Sequence, residues 1–183
     1  MQQNASARTV NGVERRGPVF GNRLLDVLPR AELEAIVPGV RRVFLHRDQR
    51  LAGDGEALAY LYFPVDALVW TWAETTGTER PTSIAATGHR GALGIARALG
   101  VANTDFCVSV ISPGTAWRLP FEALDAQGHG RGMLRRLLHR YAYVSMIVTA
   151  CRLACNSEHN IDQRDIERAV SAALSDCDSC ATC

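Results

Sequence analysis

The 183-residue chain contains no lysine, and all twenty of its basic residues are arginine. We attribute this bias to a GC-rich genome and not to phosphate chemistry. The formal net charge is only +1, so composition favours neither nucleic acid nor a membrane surface as a partner. The chain also lacks any apolar run of the roughly 20 residues that span a bilayer. We therefore expect a globular protein with no membrane partner.

Signals for secretion and for common enzyme classes are missing as well. The first eight residues are polar and lack the apolar segment of a secretory signal. We therefore expect a cytoplasmic protein with mostly reduced cysteines. No Walker, Rossmann, G-x-S-x-G or Ser-His-Asp pattern occurs. His46 and His89 are far apart and form no His-x-His pair, which favours solvated loop residues over metal ligands. We predict no enzyme activity and no cofactor.

The start of the chain reads as an arm followed by two short helices. Residues 1–20 are polar and without periodicity, which is typical of a flexible arm. Asn22 is a plausible N-cap for a first helix. Its apolar stripe consists of Leu24, Leu25 and Leu28. Pro29 begins a second helical turn, which Pro38 and Gly39 end.

From residue 40 to about residue 119, short stretches alternate apolar and polar residues at period two, and turn residues separate them. The predicted strands are residues 43–45, 59–63, 67–72, 83–85, 106–111 and 115–119. A brief helical piece at residues 91–99 interrupts them. Many short strands at near-regular spacing predict a mainly β fold with helices, built as a β-barrel or double-stranded β-roll. Each strand should have one core face and one wet face.

A long helix is predicted from about Arg131 past Cys155, after a shorter helix that begins at Pro120. Its apolar residues are spaced 3, 4, 3, 4, 3, 4, which is a heptad pattern. The heptad residues are Leu134, Leu137, Tyr141, Val144, Val148, Cys151 and Cys155. A sustained heptad favours dimerisation, with Leu138, Met146 and Leu153 available to pack on the barrel. The alternative is a single buried helix in a monomer.

This order of elements, together with several local strings, resembles the Crp/Fnr superfamily of transcription regulators. The strings are Asn22-Arg23-Leu24-Leu25, Ala59-Tyr60-Leu61-Tyr62-Phe63-Pro64, Gly91-Ala92-Leu93-Gly94, Pro113-Gly114-Thr115-Ala116 with Arg118-Leu119-Pro120, and Ala154-Cys155-Asn156. The resemblance implies a cyclic-nucleotide-binding-like β-roll with short helices at residues 21–128. It further implies a long dimerisation helix at 129–156 and a remnant of a DNA-binding domain at 157–183.

The same resemblance places a phosphate cassette at Gly91, Ala92, Leu93 and Gly94. Nucleotide-binding members hold the ribose with a Glu in this turn and the phosphate with an Arg some dozen residues later. Here the Glu position is Ala92, and no Arg occurs between Arg97 and Arg118. We therefore expect a degenerate site that does not bind cyclic nucleotides. The glycines either turn the chain or hold another anion through the backbone.

Family members continue into a winged helix-turn-helix of some 70 residues, whereas about 25 residues follow Asn156 here. The resemblance therefore implies a sensory and dimerisation module with little or no DNA-binding domain. A frameshift or premature stop is one explanation. The expected partners are a second copy through the long helix and full-length relatives in heterodimers. DNA is a partner only if a helix-turn-helix is restored or supplied by a partner.

Two further functions stay open. One is a standalone domain that binds a small ligand in the roll, which requires a polar-lined pocket that Trp70, Trp72 and Trp117 do not fill. The other is a redox or metal sensor, because Cys177, Cys180 and Cys183 have the spacing of cluster ligands. Cys151 or Cys155 are candidates for a fourth ligand. Both are more often small apolar residues of a helix, or form an interchain disulfide in a parallel helix pair.

Overall fold

A computed structural model describes residues 20–74, 81–126 and 132–158, with only the backbone given for residues 153–158. The predicted arm lies outside the described residues except for Phe20, and so does the predicted cysteine tail. The helices are α1 (Arg23–Asp26), α2 (Arg30–Ile36), α3 (Ile95–Ala98), α4 (Phe121–Asp125) and α5 (Met133–Glu158). The strands are β1 (Arg41–Leu45), β2 (Arg50–Ala52), β3 (Tyr60–Pro64), β4 (Leu68–Ala73), β5 (Thr82–Thr87), β6 (Cys107–Ser112) and β7 (Gly114–Pro120).

The strands form two antiparallel sheets, with the orders β1-β7-β3 and β2-β6-β4-β5. All six strands predicted from period-two alternation are present, within a few residues at their ends. The sequence analysis missed β2, because three residues are too few to establish alternation. Its register against β6 is also irregular between Arg50 and Ala52.

Strands β3 and β7 of the three-stranded sheet are buried or half-buried on both faces, whereas Arg41, Arg42 and Phe44 of β1 are exposed. Leu61, Phe63 and Leu119 point to one side and belong to a cluster with apolar residues of the helices. Tyr62 and Ala116 point to the other side and belong to the interior of the roll, together with residues of the four-stranded sheet. Because side chains alternate between the faces of a strand, this sheet separates a helical layer from the roll interior.

The two tryptophans of β4 do not fill the roll. Val69 of the same strand is fully buried in the roll interior. Trp70 and Trp72 lie opposite Ser109 and Cys107 of β6 on the outer face of the sheet. Each indole N–H donates to a serine hydroxyl, Trp70 to Ser83 at 2.8 Å and Trp72 to Ser109 at 3.1 Å.

Trp117 also lies outside the roll, on the helical side of β7. Its ring meets that of Phe20 edge-on at 5.1 Å, and its indole N–H donates to the Phe20 carbonyl at 2.8 Å. None of the three tryptophans therefore occupies the roll interior.

The long helix α5 is divided between burial and exposure. Leu134 and Leu138 in its first turns are fully buried in the helical layer, and Leu137 and Tyr141 pack against the same cluster. From Tyr143 onward its apolar side chains are exposed. In the part of the chain that the structure describes, no helix has the length and apolar character to cross a membrane.

Candidate effector site

The predicted cassette, Gly91–Gly94, is a buried turn that joins β5 to α3. The Gly91 N–H donates to the Gly88 carbonyl at 3.0 Å and so closes the turn. Leu93 then forms an isolated bridge with Tyr62 of β3, with the two backbone hydrogen bonds at 2.9 and 3.1 Å. The cassette is therefore attached directly to β3, an edge strand of the three-stranded sheet.

Gly94 has a structural requirement for glycine. Its φ of +87° lies in the left-handed region that other residues rarely adopt. A Cβ there would also lie 3.0 Å from both the Tyr60 carbonyl oxygen and the Phe121 ring. A role in turning the chain is therefore sufficient to explain the presence of glycine at position 94.

Asn22 joins the N-terminal helix to the cassette. Its side chain is fully buried, and its amide donates to the carbonyls of Gly91 at 3.0 Å and Pro64 at 2.8 Å. Its carbonyl oxygen accepts from the Leu24 N–H at 3.0 Å, so Asn22 is the N-cap predicted from the sequence. One side chain thus connects α1, β3 and the cassette.

The first half of α5 closes the other side of the cassette. Arg135 donates to the Ala98 carbonyl at the end of α3 at 3.0 Å and pairs with Asp125 of α4 at 2.5 Å. A ring nitrogen of His139 lies 3.3 Å from the same Ala98 carbonyl oxygen. A Cβ on Gly91 would overlap the Tyr141 hydroxyl. Helix α5 therefore contacts both ends of the segment that carries the cassette.

The predicted heptad residues divide between buried and exposed positions on α5. Leu134 is fully buried in its own domain, and Leu137 and Tyr141 pack against the same core, so these three positions do not form an exposed seam. Val144, Val148 and Cys151 are exposed. The side chain of Cys155 lies outside the described residues.

No protein-family model matches the chain, and no curated protein matches it. Solved structures do match. The N-terminal domain of a transcriptional regulator from Streptomyces coelicolor A3(2) has a TM-score of 0.53 at 17% identity, covering 79% of this chain and 95% of that one. DNR from Pseudomonas aeruginosa has a TM-score of 0.54 at 15% identity, covering 74% of this chain and 62% of DNR.

A third match is the regulatory domain of Toxoplasma gondii PKA, solved with cAMP, with a TM-score of 0.56 at 12% identity. It covers 67% of this chain and 46% of that one. The chain therefore spans less than two thirds of the length of this structure and of DNR. The chain has the cyclic-nucleotide-binding fold. The predicted β-roll is confirmed, and the resemblance stated from the sequence is confirmed as a likeness of fold.

Neither the position expected to hold a glutamate nor the nearest arginine offers a charge to the cassette turn. Ala92 presents only a buried methyl group where the resemblance implies a glutamate. Arg97 is exposed, and its guanidinium lies 5.8 Å from the centroid of the Phe121 ring. Helix α3 has only four residues, so its dipole contributes little to anion binding.

A different arginine lies on the roll-facing side of the three-stranded sheet, and it was not predicted from the sequence as a site residue. Arg118 of β7 lies opposite Tyr62 of β3, on the face that carries Ala116 into the roll. Its guanidinium carbon lies 4.4 Å from the centroid of the Tyr60 ring. The sequence does show that Tyr60 and Tyr62 share one face of a strand, and that Ala116 and Arg118 share one face of another, because each pair is two residues apart. The sequence does not show that these two strands pair with each other.

Arg118, Tyr60 and Tyr62 form a cluster in which the pKa of the Tyr62 phenol is shifted. Burial raises the pKa of its phenol, and the charge of Arg118 opposes that shift, while Tyr60 adds to it. The rings of Tyr60 and Tyr62 meet edge-on at 6.0 Å. The cluster therefore combines a cation with two phenol rings.

The described residues contain no group of three His, Cys, Asp or Glu side chains placed to hold a metal ion. Both histidines weighed from the sequence, His46 and His89, are exposed. The predicted ligands Cys177, Cys180 and Cys183 lie outside the described residues. Cys107 is buried and free in β6, and Cys151 is exposed and free on α5.

Proposed function

We propose that this chain is the sensory and dimerisation module of a Crp/Fnr-type transcription regulator, acting in the cytoplasm and without enzymatic activity. The proposal combines the confirmed fold with the local strings that resemble that superfamily. The observation that carries it is the position of α5. One continuous helix contacts the segment that carries the cassette through Tyr141 and Arg135, and its second half bears an exposed apolar stripe.

The exposed stripe supports dimerisation. Tyr143, Val144, Ile147 and Val148 are all at least two-fifths exposed, and Cys151 continues the same side of the helix one turn later. Large apolar residues that gather on one side of a helix are typical of an interface. We propose a homodimer formed by two α5 helices, with heterodimers of the same geometry available to full-length relatives.

In this proposal the cyclic-nucleotide site is degenerate. A buried phosphate that lacks its charged partners loses several kcal/mol of binding free energy, which corresponds to a loss in affinity of about a thousandfold. The described geometry of Ala92 and Arg97 supports that loss. DNA is contacted in this proposal only through a helix-turn-helix, which the described residues do not include.

Two measurements on the chain test the proposal. Light scattering after gel filtration should give twice the monomer mass of 19.9 kDa. Calorimetric titration with cAMP and cGMP should give no measurable heat of binding at millimolar nucleotide. A monomer at high micromolar concentration would rule out the dimerisation module. Tight nucleotide binding would rule out the degenerate site and leave the fold assignment intact.

A further inference from the structure

The roll interior contains an arginine whose charge is not neutralised by any carboxylate in the described part of the chain. Arg118 is half-buried and forms no ion pair there. Its described contact is the stacking of the guanidinium on Tyr60 at 4.4 Å. Each further step of burial of a cation without a counter-charge is unfavourable, so an anion bound beside Arg118 would be stabilised by it.

A second arginine lies directly across the sheet from the first. Arg41 of β1 is the register partner of Arg118, and directly opposite residues of an antiparallel pair have Cβ atoms roughly 5 Å apart. The Arg41 guanidinium donates to the backbone carbonyls of Pro38 at 2.8 Å and Val40 at 3.0 Å, neither of which carries a charge. Like charges directly opposite each other destabilise a sheet, and an anion held near them would reverse that effect.

A second hydrogen-bond donor lies opposite Arg118 in the register of the sheet. Stacking on Tyr60 covers one face of the guanidinium plane and leaves its N–H edge, which suits the two oxygens of a carboxylate or phosphate. The phenol of Tyr62 is adjacent on the same face. The Tyr62 phenol carries its proton at physiological pH, because its ordinary pKa is about 10 and burial raises that pKa further, so it can donate to an anion.

We propose that Arg118, Tyr60 and Tyr62 form a binding site for the oxyanion of a small effector, either a carboxylate or a phosphate group. The site is connected directly to the cassette, because the backbone of Tyr62 pairs with that of Leu93 in an isolated β-bridge. An anion at Arg118 would therefore act on the strand to which the cassette is attached. The description of the ligand as an effector rests on the proposed function, whereas the anion site itself does not.

The test is a titration of the chain with sodium phosphate and, separately, with sodium benzoate, at constant ionic strength set with sodium chloride. Isothermal calorimetry and the thermal midpoint report binding. We expect at least one of the two anions to bind saturably. Comparison of the two dissociation constants then identifies phosphate or carboxylate as the preferred group. Arg118→Gln should weaken binding at least tenfold, and Arg118→Lys should restore it only in part, because the bidentate edge is lost.

Arg42→Gln is the matched control, because Arg42 lies on the opposite face of the same sheet and stacks on Trp117. It should bind the anion as the unchanged chain does. If Arg118→Gln does not fold, Tyr62→Phe removes only a hydroxyl and should weaken binding several-fold. Absence of saturable binding of both anions, or equal loss in Arg42→Gln, overturns the anion site. Light scattering on the same samples measures the oligomeric state, so that absence of the anion site is distinguished from absence of the proposed dimer.

Discussion

The hydroxyl of Tyr141 lies so close over Gly91 that a single methyl group on that glycine would overlap it. One residue belongs to the predicted cassette, and the other belongs to the long helix. The contact therefore links the cassette to α5 without an intervening residue. This contact can be tested by substitution.

The Gly91–Tyr141 contact predicts strong coupling between two substitutions. Gly91→Ala should lower the free energy of unfolding by about 1–3 kcal/mol, because the added methyl also meets Thr87 at 2.9 Å. Tyr141→Phe removes the overlapping oxygen, so the double variant should lose less than the sum of the two single losses. Denaturant unfolding of the four proteins measures the cycle.

Gly88→Ala is the control for that cycle. A Cβ at this position meets only Leu68, at an ordinary 3.7 Å, so its cost should be small and independent of Tyr141. Strict additivity of Gly91→Ala and Tyr141→Phe would contradict the proposed contact.

Asn22 gives a second prediction, about the attachment of the cassette to the N-terminal helix. Asn22→Ala leaves the carbonyls of Gly91 and Pro64 and the N–H of Leu24 without their partner. Because the site is fully buried, we expect a loss of about 3 kcal/mol in the free energy of unfolding.

Asn22→Asp distinguishes the amide from the cap. The aspartate keeps an acceptor for Leu24 but sets a carboxylate oxygen against two carbonyls. It should therefore be no better than alanine if the amide donors dominate. Recovery of full stability in Asn22→Asp would show that capping alone explains the residue.

Much of the fold could be predicted from local pattern. Alternation and turn residues located six of the seven strands, although β3 is buried on both faces and lacks the predicted wet face. The N-cap at Asn22 could also be predicted, because asparagine is a preferred N-cap residue and stands directly before an apolar stripe. The three-residue strand β2 had no such pattern and depends on its pairing with β6.

The site was less accessible to sequence reasoning. The heptad pattern of α5 is real in spacing, but spacing does not distinguish a stripe that packs on its own domain from one that meets a partner. Leu134 is buried and Val148 exposed for reasons that lie in the tertiary contacts of α5. Arg118 was likewise missed, because its location follows from the pairing of β3 with β7, which are distant in the chain.

The exposed half of α5 predicts a matched pair of variants. Val148→Glu places a charge in the apolar stripe and should weaken dimerisation at least tenfold. Thr149→Glu adds the same charge at the next residue, about 100° around the helix, where the hydroxyl bonds back to the Ser145 carbonyl at 2.9 Å. It should leave the dimer unchanged. Sedimentation equilibrium measures both, and equal effects would argue against the stripe as the interface.

Asp66 should make the turn after β3 sensitive to acid. The Thr115 hydroxyl donates to its carboxylate at 2.7 Å, the Thr115 N–H donates to the same oxygen, and these bonds lower the pKa of Asp66. Since the folded-state pKa lies below the unfolded value, this stabilisation is present above about pH 4 and is lost as the pH falls through the folded pKa. Thr115→Val should raise the Asp66 pKa in an NMR titration, and no change would contradict this assignment.

Tyr62 predicts the opposite pH dependence, at alkaline pH. Burial raises its pKa in the folded protein above the usual value of about 10, so the unfolded chain loses this proton first as the pH rises. The contribution to stability is complete below about pH 10 and is lost as the pH rises through the folded pKa. Tyr62→Phe should remove this contribution. In Arg118→Gln the pKa of Tyr62 should rise further, because the opposing charge is gone. Absorbance titration of tyrosinate measures both, and a lower pKa in Arg118→Gln would show that the guanidinium does not act on this phenol.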